Sequence, residues 1–370
     1  MRLILHIGTH KTGTSALQEC LRRNKRTLAD KGIYYVHLAR STHCNGLARL
    51  VAKKRRAEVT AFLERHIDKA RMISADTLII SAESFYAMTM FFHKFNGREN
   101  NYWNSESEAI ELLHSVLPSD MRTRLVVFFR RQDYFLESIY QQVIKSTRSI
   151  SMRIDEFRVF LGEALDYWRN MQMWSAFFPD CVVYTHEEAS SNISEFFIRK
   201  VLEIENAQEF EELDLRANVR LNRDVLEYKR ILNGMELSAV DRRMNKLACT
   251  ELARTLADDR RYQDYLAPDD RAALLREMGR GNALLSEKFG MTPFPALSDD
   301  NLRGWSPYPG LSTEKTSEIA ERHARIKRSA GYRIERSALL AREFIQRHLP
   351  MLAWIIPLGR SLLPRHRHQS

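Results

Sequence analysis

The chain has 370 residues, of which 44% are hydrophobic and 28% charged, with 14 Gly and 10 Pro. These are globular proportions that exclude collagen-like and linker-dominated chains, and at roughly 100–200 residues per domain the length suits one large domain or two ordinary ones. The 57 Lys and Arg against 47 Asp and Glu leave +10, but the excess is uneven. Residues 1–60 carry 13 basic and 3 acidic side chains and residues 322–370 carry 11 and 2, so the middle is net acidic. Such a distribution suggests an anionic partner for particular segments, not a general polyanion surface.

The first element is a short apolar run, Arg2–Ile7, read as a strand. It meets polar Thr9, His10 and Lys11 too soon to serve as the 7–15-residue core of a secretory signal. Further strands are predicted at Gly32–Val36, Thr77–Ser81, Leu125–Phe129 and Cys181–Thr185, with helices at Thr14–Ala29, Ala57–Ala70, Glu106–Leu117, Tyr134–Lys145 and Asp155–Phe177 between them. Leu78-Ile79-Ile80 and Leu125 to Phe129 are continuously apolar, the mark of parallel strands covered on both faces. The expected fold is α/β: a P-loop-like central parallel sheet flanked by helices, with a helical carboxyl-terminal half. That half reads as helices at Arg223–Asn233, Ala239–Leu256, Pro268–Phe289 and Thr313–Arg347. The expected division is a core at 1–220, a helical extension at 221–298, a Gly/Pro-rich loop at 299–312 and a basic helical tail at 313–370. Cys20, Cys44, Cys181 and Cys249 form no CxxC pair and no zinc-ligand spacing, which fits a reducing, cytoplasmic setting without a metal. No window of about 20 apolar residues is present to span a bilayer.

Two segments carry chemistry. His6-Ile7-Gly8-Thr9-His10-Lys11-Thr12-Gly13-Thr14-Ser15 runs from a strand through a glycine-flanked turn into a helix, with Ser15-x-x-Gln18 a capping-box candidate. Loop amides and a helix N-terminus converge on an anion in such a turn. The glycines share the P-loop offset, but Thr14 stands where a nucleotide kinase has lysine, and the strand Leu125–Phe129 ends in Arg130-Arg131 and not in a metal-binding acid. The second segment is Arg130-Arg131-Gln132-Asp133, with Asp133 a candidate N-cap and Ser138 a little over one turn into the following helix. Arginine and hydroxyl together make a clamp for a second, separate phosphate.

With both motifs in view, the chain resembles the sulfotransferases that use 3′-phosphoadenosine-5′-phosphosulfate (PAPS), in a bacterial-type branch. Gly8 to Ser15 is similar to their 5′-phosphosulfate loop, and Arg130 with Ser138 to their 3′-phosphate motif. The resemblance covers about the first 220 residues. It implies Thr9, Lys11, Thr12, Gly13, Thr14, Ser15, Arg130 and Ser138 as donor-binding residues and Lys11 as the group that stabilises the leaving phosphate. Sulfuryl transfer to a hydroxyl or amine also needs a proton acceptor, for which Glu83, at the end of an apolar strand, is the first candidate and His10 the second. His6, inside a strand, reads as packed core. Tyr34, Tyr35, Phe85, Tyr86 and Tyr134 are available for adenine stacking, and Lys327-Arg328 before Gly331 for a late basic loop. The acceptor is expected to be a saccharide or glycolipid and not a nucleic acid, with the oligomeric state undetermined. Residues 349–370 combine an apolar, Trp-containing stretch with arginines, suited to peripheral contact with the inner face of a membrane. A P-loop-type kinase and a non-catalytic polyanion-binding module are the competing classes.

Overall fold

The computed structural model describes residues 1–10, 12–37, 44–97, 101–189, 192–211, 221–256, 264–297 and 305–348. Lys11, residues 299–304 of the expected loop at 299–312 and the terminal segment 349–370 lie outside the described residues. The chain forms two compact units, each assembled from separated pieces of sequence. One comprises Met1–Ile139, Glu156–Arg216 and Leu266–Arg303, and the other Tyr140–Asp155, Ala217–Tyr265 and Gly304–Ser370. This partition is not the linear one expected from composition: Pro268–Phe289, expected in a helical extension, belongs to the unit that contains the sheet.

The first unit is built on five parallel strands, β1 (Arg2–Gly8), β2 (Ile33–Tyr35), β3 (Thr77–Ser81), β4 (Arg122–Phe129) and β5 (Cys181–Thr185), in the order β2-β3-β1-β4-β5. All five strand predictions find their element. β4 begins three residues earlier than its apolar run, because Arg122 to Arg124 extend the ladder beside Arg2 to Ile4. Both faces of the sheet are covered. Ile4, Val126 and Phe128 pack with Leu17, Leu21, Ile193 and Phe197 on one side. Alternate residues of β4 face the other, where Phe129 stacks on Tyr167 at 4.2 Å between ring centroids. Each such fully buried aromatic contributes about 1.5–3 kcal/mol.

Three predicted long helices are each broken once, always at a residue whose side chain bonds to backbone. Asn24 ends Thr14–Arg23 and donates to the carbonyls of Cys20 and Glu211. Asp166 stops Ile154–Leu165 and caps Tyr167–Phe177 by accepting from the Arg169 amide. Ser329 separates Thr313–Arg328 from Ala330–His348, so Lys327 and Arg328 sit in a last helical turn and not in a basic loop. The second unit is helical, with Val240, Met244, Ala248, Tyr332 and Leu339 at its core.

At Gly8 the backbones of β1 and β4 meet with no room for a side chain: a Cβ there would lie 2.8 Å from the Phe128 carbonyl oxygen. Gly8→Ala is expected to cost about 1–3 kcal/mol, because the obstructing atom is backbone in a central ladder. Urea unfolding should show a lower midpoint with an unchanged slope; an unshifted midpoint would mean that the two strands are not held this closely.

Candidate functional site

Because all five strands are parallel, their carboxyl ends share one edge of the sheet, where open α/β sheets bind ligands. β1 lies between β3 and β4, so its exit turn is flanked by Ala82-Glu83 on one side and Arg130-Arg131 on the other. The turn is fixed by its own backbone. The Thr9 amide donates to the Phe128 carbonyl at 3.1 Å, and the Thr12 hydroxyl to the Thr9 carbonyl at 3.0 Å. Gly13 takes the left-handed conformation, φ 79°, that admits glycine freely, and begins the helix Thr14–Arg23. Thr9, Thr12 and Thr14 are buried, whereas Gly13 and Ser15 are exposed. Of the expected anion contacts, the Thr9 amide is thus already engaged with β4 and the Thr12 hydroxyl within the turn. The first amides of the helix, Thr14 and Ser15, have the orientation of donors without intrahelical acceptors. The Ser15–Gln18 capping box is not formed: Gly13 is the N-cap and no side chain caps the helix.

Gln18 turns inward instead. Its side-chain nitrogen lies 3.1 Å from the Ser81 hydroxyl, 3.3 Å from the Ser81 carbonyl and 3.2 Å from Glu83 Oε2. The other oxygen of Glu83 lies 3.7 Å from His10 Nδ1, and the His10 ring meets Phe91 edge-on at 4.2 Å. The two residues considered as alternative proton acceptors are therefore neighbours, both under one-tenth exposed. His6 is packed core, as its position in the strand predicts. It bonds to the Ser81 hydroxyl at 2.8 Å, and burial draws its pKa down to about 4, with the Glu83 charge opposing.

On the β4 side the two arginines diverge. Arg131 is buried: its guanidinium forks onto Asp133 at 2.8 and 2.9 Å and also donates to the Pro295 carbonyl. Asp133 accepts from Arg271 as well, and Arg271 reaches Glu137 at 2.9 Å. Asp133 is consequently not the N-cap expected; it sits inside the first turn of the helix Gln132–Lys145 as the centre of a buried ion network. Burial pushes its carboxyl up, but Arg131 and Arg271 outweigh that and hold it below the usual aspartate range. Arg130 stays partly exposed, with its guanidinium 5.7 Å from the Tyr134 ring centre. Burial lowers its pKa and the charge of Glu187, just past the end of β5, opposes that. Ser138 is four residues beyond Tyr134, hence on the same half-exposed face of the helix as the ring under Arg130. Of the aromatic candidates, Tyr35, Phe85 and Tyr86 are core, Tyr34 is bonded to His66, and Tyr134 is the one beside Arg130.

Sequence reasoning missed Gln18, Glu187 and Arg271. Comparison of the chain with models of known protein families, with curated proteins and with solved structures gave no match.

Two outcomes test this geometry. Since the folded pKa of His6 is about 4 against an ordinary 6.5, the unfolded chain binds the extra proton between those values, so stability falls as pH drops from about 6.5 to 4, by about 3 kcal/mol. The stability gap between wild type and His6→Gln should narrow by that amount across this window in urea titrations; a constant gap would show that His6 is not buried in neutral form. Asp133→Asn should cost about 3–5 kcal/mol at pH 7 by stranding Arg131 and Arg271. Because the Asp133 contribution is present above the ordinary aspartate pKa and lost as pH falls through the lowered folded value, the deficit should shrink below about pH 4.

Proposed function

We propose that this chain is a PAPS-dependent sulfotransferase that moves a sulfuryl group to a hydroxyl or amine of a saccharide or glycolipid acceptor. The observation that carries the reading is the common edge: a glycine-flanked turn leaving β1, with partly exposed Arg130 at the end of β4 on one side and the Glu83–His10 pair at the end of β3 on the other. A glycine turn between the central strand of a parallel sheet and a helix supports a P-loop-like reading, here with arginine in place of a metal-binding acid at the end of β4.

In this reading the donor supplies an activated SO₃ group and a phosphate leaving group. Arg130 takes the 3′-phosphate, its charge held in place over Tyr134, and Ser138 adds a hydroxyl from the next turn. The amides of Thr14 and Ser15 and the hydroxyl of Ser15 receive the 5′ end at the helix N-terminus. Lys11 neutralises the charge that grows on the phosphate oxygen as the S–O bond breaks, a stabilisation worth most in the transition state. Glu83 or His10 takes the proton from the acceptor, and Gln18 fixes the carboxylate that His10 faces.

Calorimetry with the desulfated product, 3′-phosphoadenosine-5′-phosphate, in EDTA is expected to show binding that exceeds that of ATP. Arg130→Ala should weaken it about 10–100-fold, the loss of a charge-assisted contact, with little effect on a nucleotide that lacks the 3′-phosphate. Lys11→Ala should retain binding but lower transfer by about 10²–10³-fold. Preference for ATP with Mg²⁺ would favour a kinase, and equal losses for both nucleotides in Arg130→Ala would remove Arg130 from 3′-phosphate recognition.

A further inference from the structure

The helix Ala330–His348 in the second unit is apolar on two faces. Its inner face places Tyr332 and Leu339 against Val240, Met244 and Ala248. Its outer face repeats Ile334, Ser337, Ala341 and Phe344 at offsets of three, seven and ten, all exposed, with Ile334 at 53% and Phe344 at 58%. Leu340, 41% exposed, widens the same stripe. Isolated exposed apolar residues are ordinary, but Ile334, Leu340 and Phe344 over about three turns of a helix already anchored by its opposite side call for a partner.

Charge identifies the partner. Arg325 and Arg328 are exposed in the last turn of Thr313–Arg328, the helix that runs directly into this one, and Arg333 is exposed in the first turn of Ala330–His348, next to Ile334; among the described residues none of the three has an ion-pair partner. The sequence that follows the helix, 349–370, contains Trp354, Ile355 and Ile356 and three arginines and no acidic residue. Residues 349–370 folded back on the stripe would add arginines to arginines. A surface that offers hydrocarbon beneath phosphates complements both the stripe and its border.

We propose that the outer face of Ala330–His348, together with the basic turn before it, is a docking surface for an anionic lipid bilayer, on which the helix lies in the plane of the headgroups. Phe344 and Ile334 enter the acyl boundary, and Arg325, Arg328 and Arg333 meet the phosphates. The inference is independent of the donor chemistry at the sheet edge.

Sedimentation of the full chain with vesicles tests it. Wild type should pellet with phosphatidylcholine vesicles containing phosphatidylglycerol, remain in solution with phosphatidylcholine alone, and be released by about 0.5 M NaCl, where screening is nearly complete. Ile334→Glu/Phe344→Glu changes exposed side chains only and should weaken binding at least about tenfold; Arg328→Glu/Arg333→Glu should do the same through charge. The proposal is overturned if wild type ignores anionic vesicles or if both double variants bind as wild type does. It is overturned equally if light scattering finds a wild-type dimer that Ile334→Glu/Phe344→Glu dissociates, which would make a second copy the occupant. Loss of binding in Trp354→Glu with none in the helix variants would assign the contact to 349–370 alone and remove this face from it.

Discussion

At the end of β1 two backbones approach more closely than any side chain permits, and the geometry of the whole sheet edge follows from that contact. Gly8 lies against Phe128, and the next amide, from Thr9, continues the ladder onto the Phe128 carbonyl. Beyond that bond the chain turns into a helix at Gly13, which adopts a left-handed conformation. The helix that starts there directs its first amides at the edge and carries Gln18 inward to the end of β3. The glycine turn and the polar pair beside it both follow this contact along the chain.

The polar groups at this edge fall into two kinds. Arg131, Asp133, Arg271 and Glu137 pair with one another out of water, so they serve the fold: removing one member would strand its partners. Arg130, Ser138 and Ser15 keep part of their surface in water, whereas the Glu83–His10 pair is buried beside the β1 exit turn. Both guanidiniums lie against the Tyr134 ring, Arg131 at 4.4 Å and Arg130 at 5.7 Å from its centre, and what separates them is the buried pairing of Arg131 with Asp133.

The sheet was legible in the sequence because its signal is local. Runs such as Leu125 to Phe129, apolar without alternation, have few other solutions than a doubly covered strand. The glycine turn, Arg130 and Glu83 were legible for the same reason, as each stands immediately after such a run. What escaped depends on partners far along the chain. Asn24 looks like an ordinary helical residue until the Glu211 carbonyl is placed beside it, and Asp133 looks like a cap until Arg271 arrives. Gln18 satisfies the pattern of a capping box, but Gly13 occupies the cap and the amide finds better acceptors at Ser81 and Glu83. The helix break at Ser329 exposes the opposite difficulty, a local backbone preference hidden under a continuous helical pattern.

The pairing of Asp133 with Arg271 also sets an order of events during synthesis. The two residues are 138 apart, so at about 5–20 residues per second the aspartate is made roughly 7–28 s before its second arginine. Four of the five strands are made before Asp133 and β5 within that interval, so the sheet can assemble with Arg131 alone opposite the buried carboxylate. The segment Leu266–Arg303 then completes the first unit from behind the intervening helical sequence. The sheet unit is in this sense closed by a late-arriving bolt, and a nascent chain halted ahead of residue 271 would hold its ligand edge on an ion network still missing one of its two cations.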